Sequence, residues 1–135
     1  MLLGARLLPE GKGRAVSWQD LTKQTGPLVI LRSDHRLFRS QEGLARFLKG
    51  ARASGSAPGV DFSTHELLFV SVGPRSSTGY SVQVLSARDD GGTINVRVSE
   101  RTPGLNEHVE PHVTYPYRLL SLPAGQDVYV DWLGR

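Results

Sequence analysis

Hydrophobic and polar residues alternate along most of the chain after residue 60, which is typical of β-strands with one buried face. Asp90-Gly91-Gly92 predicts a tight hairpin turn within this region, because glycine tolerates the positive φ that such turns require. The predicted strands cover residues 67–72, 80–85, 94–99, 113–115, 117–122 and 128–132.

The first half of the chain mixes an apolar run with one helical pattern. Residues 28–31 form an uninterrupted apolar run that predicts a buried strand, and Ser33-Asp34 predicts a turn before the extended pair Leu37-Phe38. Ser40 is a predicted helix N-cap. A single apolar stripe at helical spacing follows it, made of Leu44, Phe47, Leu48 and Ala51.

These elements predict one mainly β domain of the α+β class. We expect antiparallel sheets that form a small sandwich or a partly open barrel, with one amphipathic helix packed on it. Residues 1–24 are predicted to be an N-terminal arm or a first edge strand, and residues 25–135 a single β domain. Residues 53–59 form a loop by composition.

Composition excludes some classes of function. The chain has no cysteine, so disulfides, thiolate metal sites and a cysteine nucleophile are excluded. No apolar run is long enough to span a membrane, and the first residues lack the apolar core of a signal peptide, so we expect a cytoplasmic protein without membrane contact.

Charge is unevenly distributed. Residues 1–60 hold ten basic and four acidic groups, whereas residues 61–135 hold six basic and nine acidic groups. A basic surface can attract nucleic acid or an acidic partner. The basic residues lack interleaved aromatics on which bases could stack, so we expect no nucleic-acid binding.

Three residues raise the question of a metal site. His108, Glu110 and His112 are spaced by two, which on a strand would place all three on one face. A weak alternative function is therefore a metal-dependent hydrolase with these ligands. One strand would spread the three side chains over about 13 Å, because strands rise about 3.3 Å per residue. We favour a polar face on an edge strand near Pro111.

Motifs for other catalytic chemistry are missing from the sequence. There is no Gly-x-Ser-x-Gly elbow that would identify a serine nucleophile, and there is no glycine-rich phosphate loop. We therefore expect a protein that is not an enzyme and needs no cofactor.

The segment between the predicted strands 67–72 and 80–85 is the most informative candidate site. It is rich in hydroxyls, and its glycines give it the backbone freedom of a shaped loop. Arg75 is predicted to lie at an exposed tip that a partner could reach. The candidate partner-binding residues are Arg75, Ser76, Ser77, Thr78, Gly79 and Tyr80.

The chain resembles the C-terminal domain family of the protease-complex subunit PrcB. The motifs that carry the resemblance are Asp61-Phe62, Gly73 followed by Thr78-Gly79-Tyr80, Thr102-Pro103-Gly104, and Thr114-Tyr115-Pro116-Tyr117 with Leu122-Pro123. The resemblance implies a non-catalytic domain that associates with a protease and serves its assembly or stability.

Two further possibilities concern how such a domain binds. The loop is also similar to the Asn-Pro-Thr-Thr-Gly-Tyr loop of chagasin-type cysteine-protease inhibitors, so direct protease inhibition is an alternative. A second candidate loop contributes Arg101, Asn106 and Glu107. We expect the two loops to share one end of the sheet, and an edge strand could also pair with itself in a homodimer.

Overall fold

The structure is a computed structural model that describes residues 13–134, in which there are eight strands and two helices. The strands are β1 Arg14–Ala15, β2 Gln19–Asp20, β3 Ser33–Phe38, β4 His65–Val72, β5 Ser81–Asp89, β6 Thr93–Arg101, β7 Tyr117–Pro123 and β8 Asp127–Trp132. The helices are α1 Thr22–Thr25 and α2 Gln41–Gly50.

The strands form two four-stranded sheets that pack against each other. The outer sheet has the order β1-β5-β6-β8, and the central sheet has the order β2-β7-β4-β3. Neighbouring strands are antiparallel except for β6 and β8, which run parallel. The described residues therefore form a small α+β sandwich rather than a barrel, and the predicted fold class is confirmed.

The central sheet is covered on both faces, which explains the continuous apolar run of β4. Leu67 and Phe69 point into the cluster beneath α2. Leu68 and Val70 point into the cluster between the sheets. Strands that are buried on both faces have no polar side, so their sequences lose the alternation of period two. All of β4 except His65 is buried.

Helix α2 forms the third layer and agrees with its prediction. The Ser40 hydroxyl accepts a hydrogen bond from the Gly43 N–H at 3.0 Å, which caps the helix. Leu44 and Leu48 are buried against the central sheet. Full burial of a leucine contributes about 1.5–3 kcal/mol, so this stripe holds the helix in place.

Two predictions before β3 are wrong. Residues 28–31 are not a strand, although Leu28 and Ile30 are buried and Val29 and Leu31 are exposed. This segment lies in the helix layer, where the Val29 N–H donates to the Ala51 carbonyl at 2.8 Å. The predicted turn at Ser33-Asp34 is instead the start of β3, because pairing with β4 overrides the local preference of these residues for turns.

The second half of the chain also differs from its prediction at two places. Residues 113–115 form no strand, and only Thr114 makes an isolated bridge, to Arg75. The short connection after β7 carries the chain from the central to the outer sheet, so β8 pairs in parallel with β6, whereas antiparallel sheets were expected. The hairpin turn between β5 and β6 is confirmed, with positive φ at Gly91 and Gly92.

The N-terminal part of the described chain contributes to both sheets. Strand β1 lies at the edge of the outer sheet, and β2 lies at the edge of the central sheet. Helix α1 runs across the predicted boundary at residue 24, and Leu21 and Thr25 are buried. Of the segment 1–24 that was predicted as an arm or a first edge strand, residues 1–12 lie outside the described residues. No helix within residues 13–134 has the length and apolar character needed to cross a bilayer.

The Tyr117 hydroxyl ties α1 to the central sheet. Its oxygen lies 2.5 Å from the Gly26 carbonyl, to which it donates its one proton, and 3.2 Å from the Thr22 carbonyl, and it also interacts with the Thr25 hydroxyl. Burial raises the pKa of Tyr117 above 10.0. The phenol therefore stays protonated in the folded chain at a pH where the unfolded chain begins to ionise it.

We expect Tyr117→Phe to lower the free energy of unfolding by about 1–3 kcal/mol at neutral pH, because the Gly26 carbonyl and the Thr25 hydroxyl lose their hydrogen-bond partner. The raised pKa also makes the wild-type chain lose stability as pH rises above about 10, since only its unfolded state releases this proton readily. The substitution should remove this part of the alkaline loss. Urea unfolding between pH 7 and 11 tests both effects, with Tyr129→Phe at an exposed tyrosine as the control.

Candidate functional site

Both candidate loops lie at the same end of the sandwich. The first loop, residues 73–80, connects β4 to β5, and the second loop, residues 102–116, connects β6 to β7. The first loop, together with Arg101 and residues 102–114, is called the loop platform below. The expected proximity of the two loops is visible in the hydrogen bonds that join them.

Backbone hydrogen bonds join the two loops directly. Arg75 and Thr114 form a bridge in which each N–H donates to the other carbonyl, at 2.8 and 2.9 Å. Thr78 donates its N–H to the Glu110 carbonyl at 3.1 Å, and its hydroxyl accepts from the Glu110 N–H at 2.8 Å. The Thr114 hydroxyl donates to the Ser77 carbonyl. The loops therefore brace each other as one unit.

Gly79 is the point of closest packing between the loops. Its φ is +98°, and a Cβ placed there would lie 2.9 Å from Pro103 Cβ and 3.0 Å from Val109 Cγ1. Both the backbone conformation and the space require glycine. The single glycine before Tyr80 is therefore what lets the second loop pack onto the first.

We expect Gly79→Ala to lower the free energy of unfolding by about 2–4 kcal/mol, because the methyl group adds overpacking to backbone strain. Gly91→Ala is the matched control, since Gly91 has a φ of +74° but nothing within 4 Å of its Cβ position. We expect that control to cost only about 1–2 kcal/mol. Equal losses in chemical denaturation would contradict the proposed contact.

Arg75 does not lie at an exposed tip, contrary to the sequence prediction. Its guanidinium donates to both carboxylate oxygens of Glu100, at 2.6 and 2.8 Å, and its side chain is only 25% exposed. It also lies over the Tyr80 ring, 6.0 Å from the centroid. Hydrogen bonding to Glu100 raises the pKa of Arg75. Arg75 therefore links the first loop to β6. Of the neighbouring residues Arg75 and Ser76, only Ser76 is exposed.

A second arginine fixes the turn of the second loop. Arg101 donates to both Glu107 oxygens, at 2.6 and 3.2 Å, and to the Gly79 carbonyl at 2.6 Å. Glu107 also accepts from the Gly104 N–H at 3.1 Å. These hydrogen bonds lower the pKa of Glu107. The predicted pair Arg101 and Glu107 therefore stiffens the turn that carries Asn106.

Leu105 is a candidate contact residue that was not predicted from the sequence. It is fully exposed at the tip of this stiffened turn, between Gly104 and Asn106. An exposed leucine is common on protein surfaces, but one on a turn fixed by hydrogen bonds presents an apolar anchor whose backbone needs little further ordering on binding. The available signal was the apolar residue inside the polar turn Pro103-Gly104-Leu105-Asn106.

The three predicted metal ligands do not converge. Residues 107–113 form no strand, so the expected shared strand face and the edge strand near Pro111 do not exist. His108 Nε2 lies 2.7 Å from Glu110 Oε2, whereas His112 Nδ1 lies 3.3 Å from the Val113 carbonyl. Within residues 13–134, no group of three or more His, Asp or Glu side chains could hold a metal ion.

The architecture and the paired loops define a class: a small α+β sandwich whose surface loops are braced into one platform. Residues 67–123 match the family model described as PrcB C-terminal. This segment runs from β4 to β7 and contains both loops, so the resemblance is confirmed there. The Asp61-Phe62 motif precedes it.

Two other comparisons found no similarity. No curated protein matches the chain, and no solved structure matches it.

Proposed function

We propose that the domain is a non-catalytic protein-binding module that contacts its partner through the loop platform. The single observation that carries the proposal is the fully exposed Leu105 on a turn fixed by Arg101 and Glu107. Interfaces draw most of their binding energy from a few anchors surrounded by groups that exclude water. Asn106 and Ser76 are exposed polar residues of the same platform.

The rigidity of the platform supports the same proposal. Each loop is held by the other, through the bridge between Arg75 and Thr114 and the contacts of Thr78 with Glu110. A loop that is already ordered loses little conformational entropy when it binds. The platform therefore presents a fixed surface to a partner, as loops on a rigid β scaffold commonly do.

The match to the PrcB C-terminal family suggests the kind of partner. The family name suggests the context of a protease complex, and on that basis we propose a protease as the partner and assembly or stability of that protease as the role. Direct inhibition of the chagasin type is the second candidate. It is favoured by the exposed Ser76 within the loop that resembles those inhibitors.

The proposal is tested by capture from a lysate of the source cells on the immobilised chain. Leu105→Asp should reduce recovery of the partner at least about tenfold, because a charge replaces the apolar anchor. Leu85→Asp is the matched control, since Leu85 is exposed at a bulge in β5, outside the platform. Equal recovery with both variants would contradict the role of the platform.

A second measurement separates the two candidate roles. The captured protease is assayed with and without added chain. An unchanged activity with slower thermal inactivation supports assembly or stability, whereas a loss of activity that follows the amount of chain supports inhibition.

A further inference from the structure

A groove outside the loop platform lies between α2, β3 and residues 29–32. It has a volume of about 830 Å³. Phe38, Phe47 and Phe69 line its base, and Val29 and Leu31 at its margin are exposed. The helix side is open because Gly43 and Gly50 face the groove.

The charge of this groove is strongly positive. Arg32, Arg36 and Arg46 line it, and Asp34 is the one acidic residue among the described residues that do so. Arg36 pairs with Asp34 at 3.0 Å and lies over the Phe47 ring. Arg32 and Arg46 have no ion-pair partner within residues 13–134. Two unpaired guanidinium groups beside an apolar base favour an acidic ligand.

The groove also borders an open edge of the central sheet. Among the described residues, β3 pairs only with β4, so its other side is an unpaired strand edge. Such an edge can bind an extended peptide as an additional strand. The His35 N–H on β3 donates to the Asp34 carboxylate at 2.8 Å, and a carbonyl of the peptide would take the place of that carboxylate.

We propose that this groove binds an extended acidic segment of a partner protein, which adds to β3 as a strand and directs its carboxylates toward Arg32 and Arg46. A nucleic acid fits less well. Phe38 and Phe69 are buried and Arg36 lies over the ring of Phe47, so the three rings offer no open face on which a base could stack. This site is separate from the loop platform, and its test is independent of Leu105.

The probe is a fluorescent octapeptide in which glutamate and valine alternate, so that all glutamates face one side of a strand. Two control peptides accompany it: one with lysine in place of glutamate, and one that is N-methylated at every residue, so that it cannot donate backbone hydrogen bonds to β3 from either edge. We expect only the first peptide to bind, and its affinity should fall as salt is added. Binding is measured by fluorescence anisotropy.

Variants of the chain identify the site. Arg46→Glu should weaken binding at least about tenfold, whereas Lys23→Glu, which changes an exposed cation outside this groove, should not. Asp34→Asn should strengthen binding, because it removes the one carboxylate that repels the probe. A purely structural role of Asp34 predicts no such gain.

A charge-neutral variant tests the shape of the groove. Nothing lies within 4 Å of a Cβ placed at Gly50, so Gly50→Phe should fill the groove without disturbing the fold. We expect it to weaken binding about tenfold, whereas Gly59→Phe, at an equally open loop position, should leave binding unchanged.

Four results would overturn the proposal. They are equal binding of the lysine or N-methylated peptide, full affinity of Gly50→Phe, binding of a single-stranded oligonucleotide in place of the acidic peptide, and a dimer of the chain that Gly50→Phe converts to monomers. The last two would assign the groove to a nucleic acid or to a second copy of the chain.

Discussion

Replacing Phe69 by alanine is expected to lower the free energy of unfolding by about 3–5 kcal/mol, because it leaves a cavity where the helix layer meets the central sheet. Phe69 is fully buried in β4, with ring centroids 4.8 Å from Phe47 and 5.6 Å from Tyr117. Since the free energy of unfolding of a native protein is about 5–15 kcal/mol, this loss would remove a large part of the stability of the domain.

Phe62→Ala is the matched control for this prediction. Phe62 is only partly buried at the margin of the same cluster, so its removal leaves a smaller cavity. Urea denaturation followed by circular dichroism measures both variants. A smaller loss for Phe69→Ala than for Phe62→Ala would mean that the contact between α2 and β4 is not the centre of the core.

Replacing Arg39 by alanine is expected to lower the free energy of unfolding by about 2–3 kcal/mol, because it leaves a buried carboxylate without its partner, although solvent screens the largely exposed Arg39 side chain. Glu66 is 1% exposed in β4, and its Oε1 accepts from Arg39 Nε at 3.2 Å. Its Oε2 has no hydrogen-bond partner among the described residues. Arg39 is therefore the one cation that pairs with this carboxylate within residues 13–134.

The double variant Arg39→Ala/Glu66→Leu separates this effect from general damage to the fold. Leucine fills a similar volume without a charge, so the double variant should recover most of the lost stability. Arg46→Ala controls for the loss of an exposed arginine and should change stability by less than about 0.5 kcal/mol. A double variant as unstable as Arg39→Ala alone would show that the charge of Glu66 is not the cause.

The parts of the fold that depend on local chemistry could be predicted from the sequence. Ser40 and the stripe from Leu44 to Ala51 lie within a few turns of one another, and both the cap and the buried face of α2 agree with their prediction. The hairpin at residues 90–92 is equally local, since its two glycines supply the positive φ.

The predictions that were wrong concern segments whose structure depends on which strands pair with one another. Residues 28–31 alternate between buried and exposed like a strand, but β3 takes the place beside β4, so the run packs in the helix layer instead. The predicted metal site depended on a strand through His108, Glu110 and His112, and that strand does not form. A short apolar or alternating run carries no information about its pairing partner.

The proximity of the two candidate loops agrees with the expectation, but the contacts within them could not be predicted. That the two loops meet follows from their place between antiparallel strands. The pairing of Arg75 with Glu100 joins residues 25 positions apart, and nothing near Arg75 in the sequence indicates it. The exposure of Leu105 likewise depends on Arg101 and Glu107, whose hydrogen bonds exist only in the folded turn.

The most direct test of the platform as a binding surface is site-specific photo-crosslinking in the source cells. A photoreactive phenylalanine analogue replaces Leu105 in one variant and Leu85 in the other, and the crosslinked products are identified by mass spectrometry. We expect one dominant partner, a protease or a subunit of its complex, attached at position 105 and absent at position 85. The same products at both positions, or none at position 105, would contradict it.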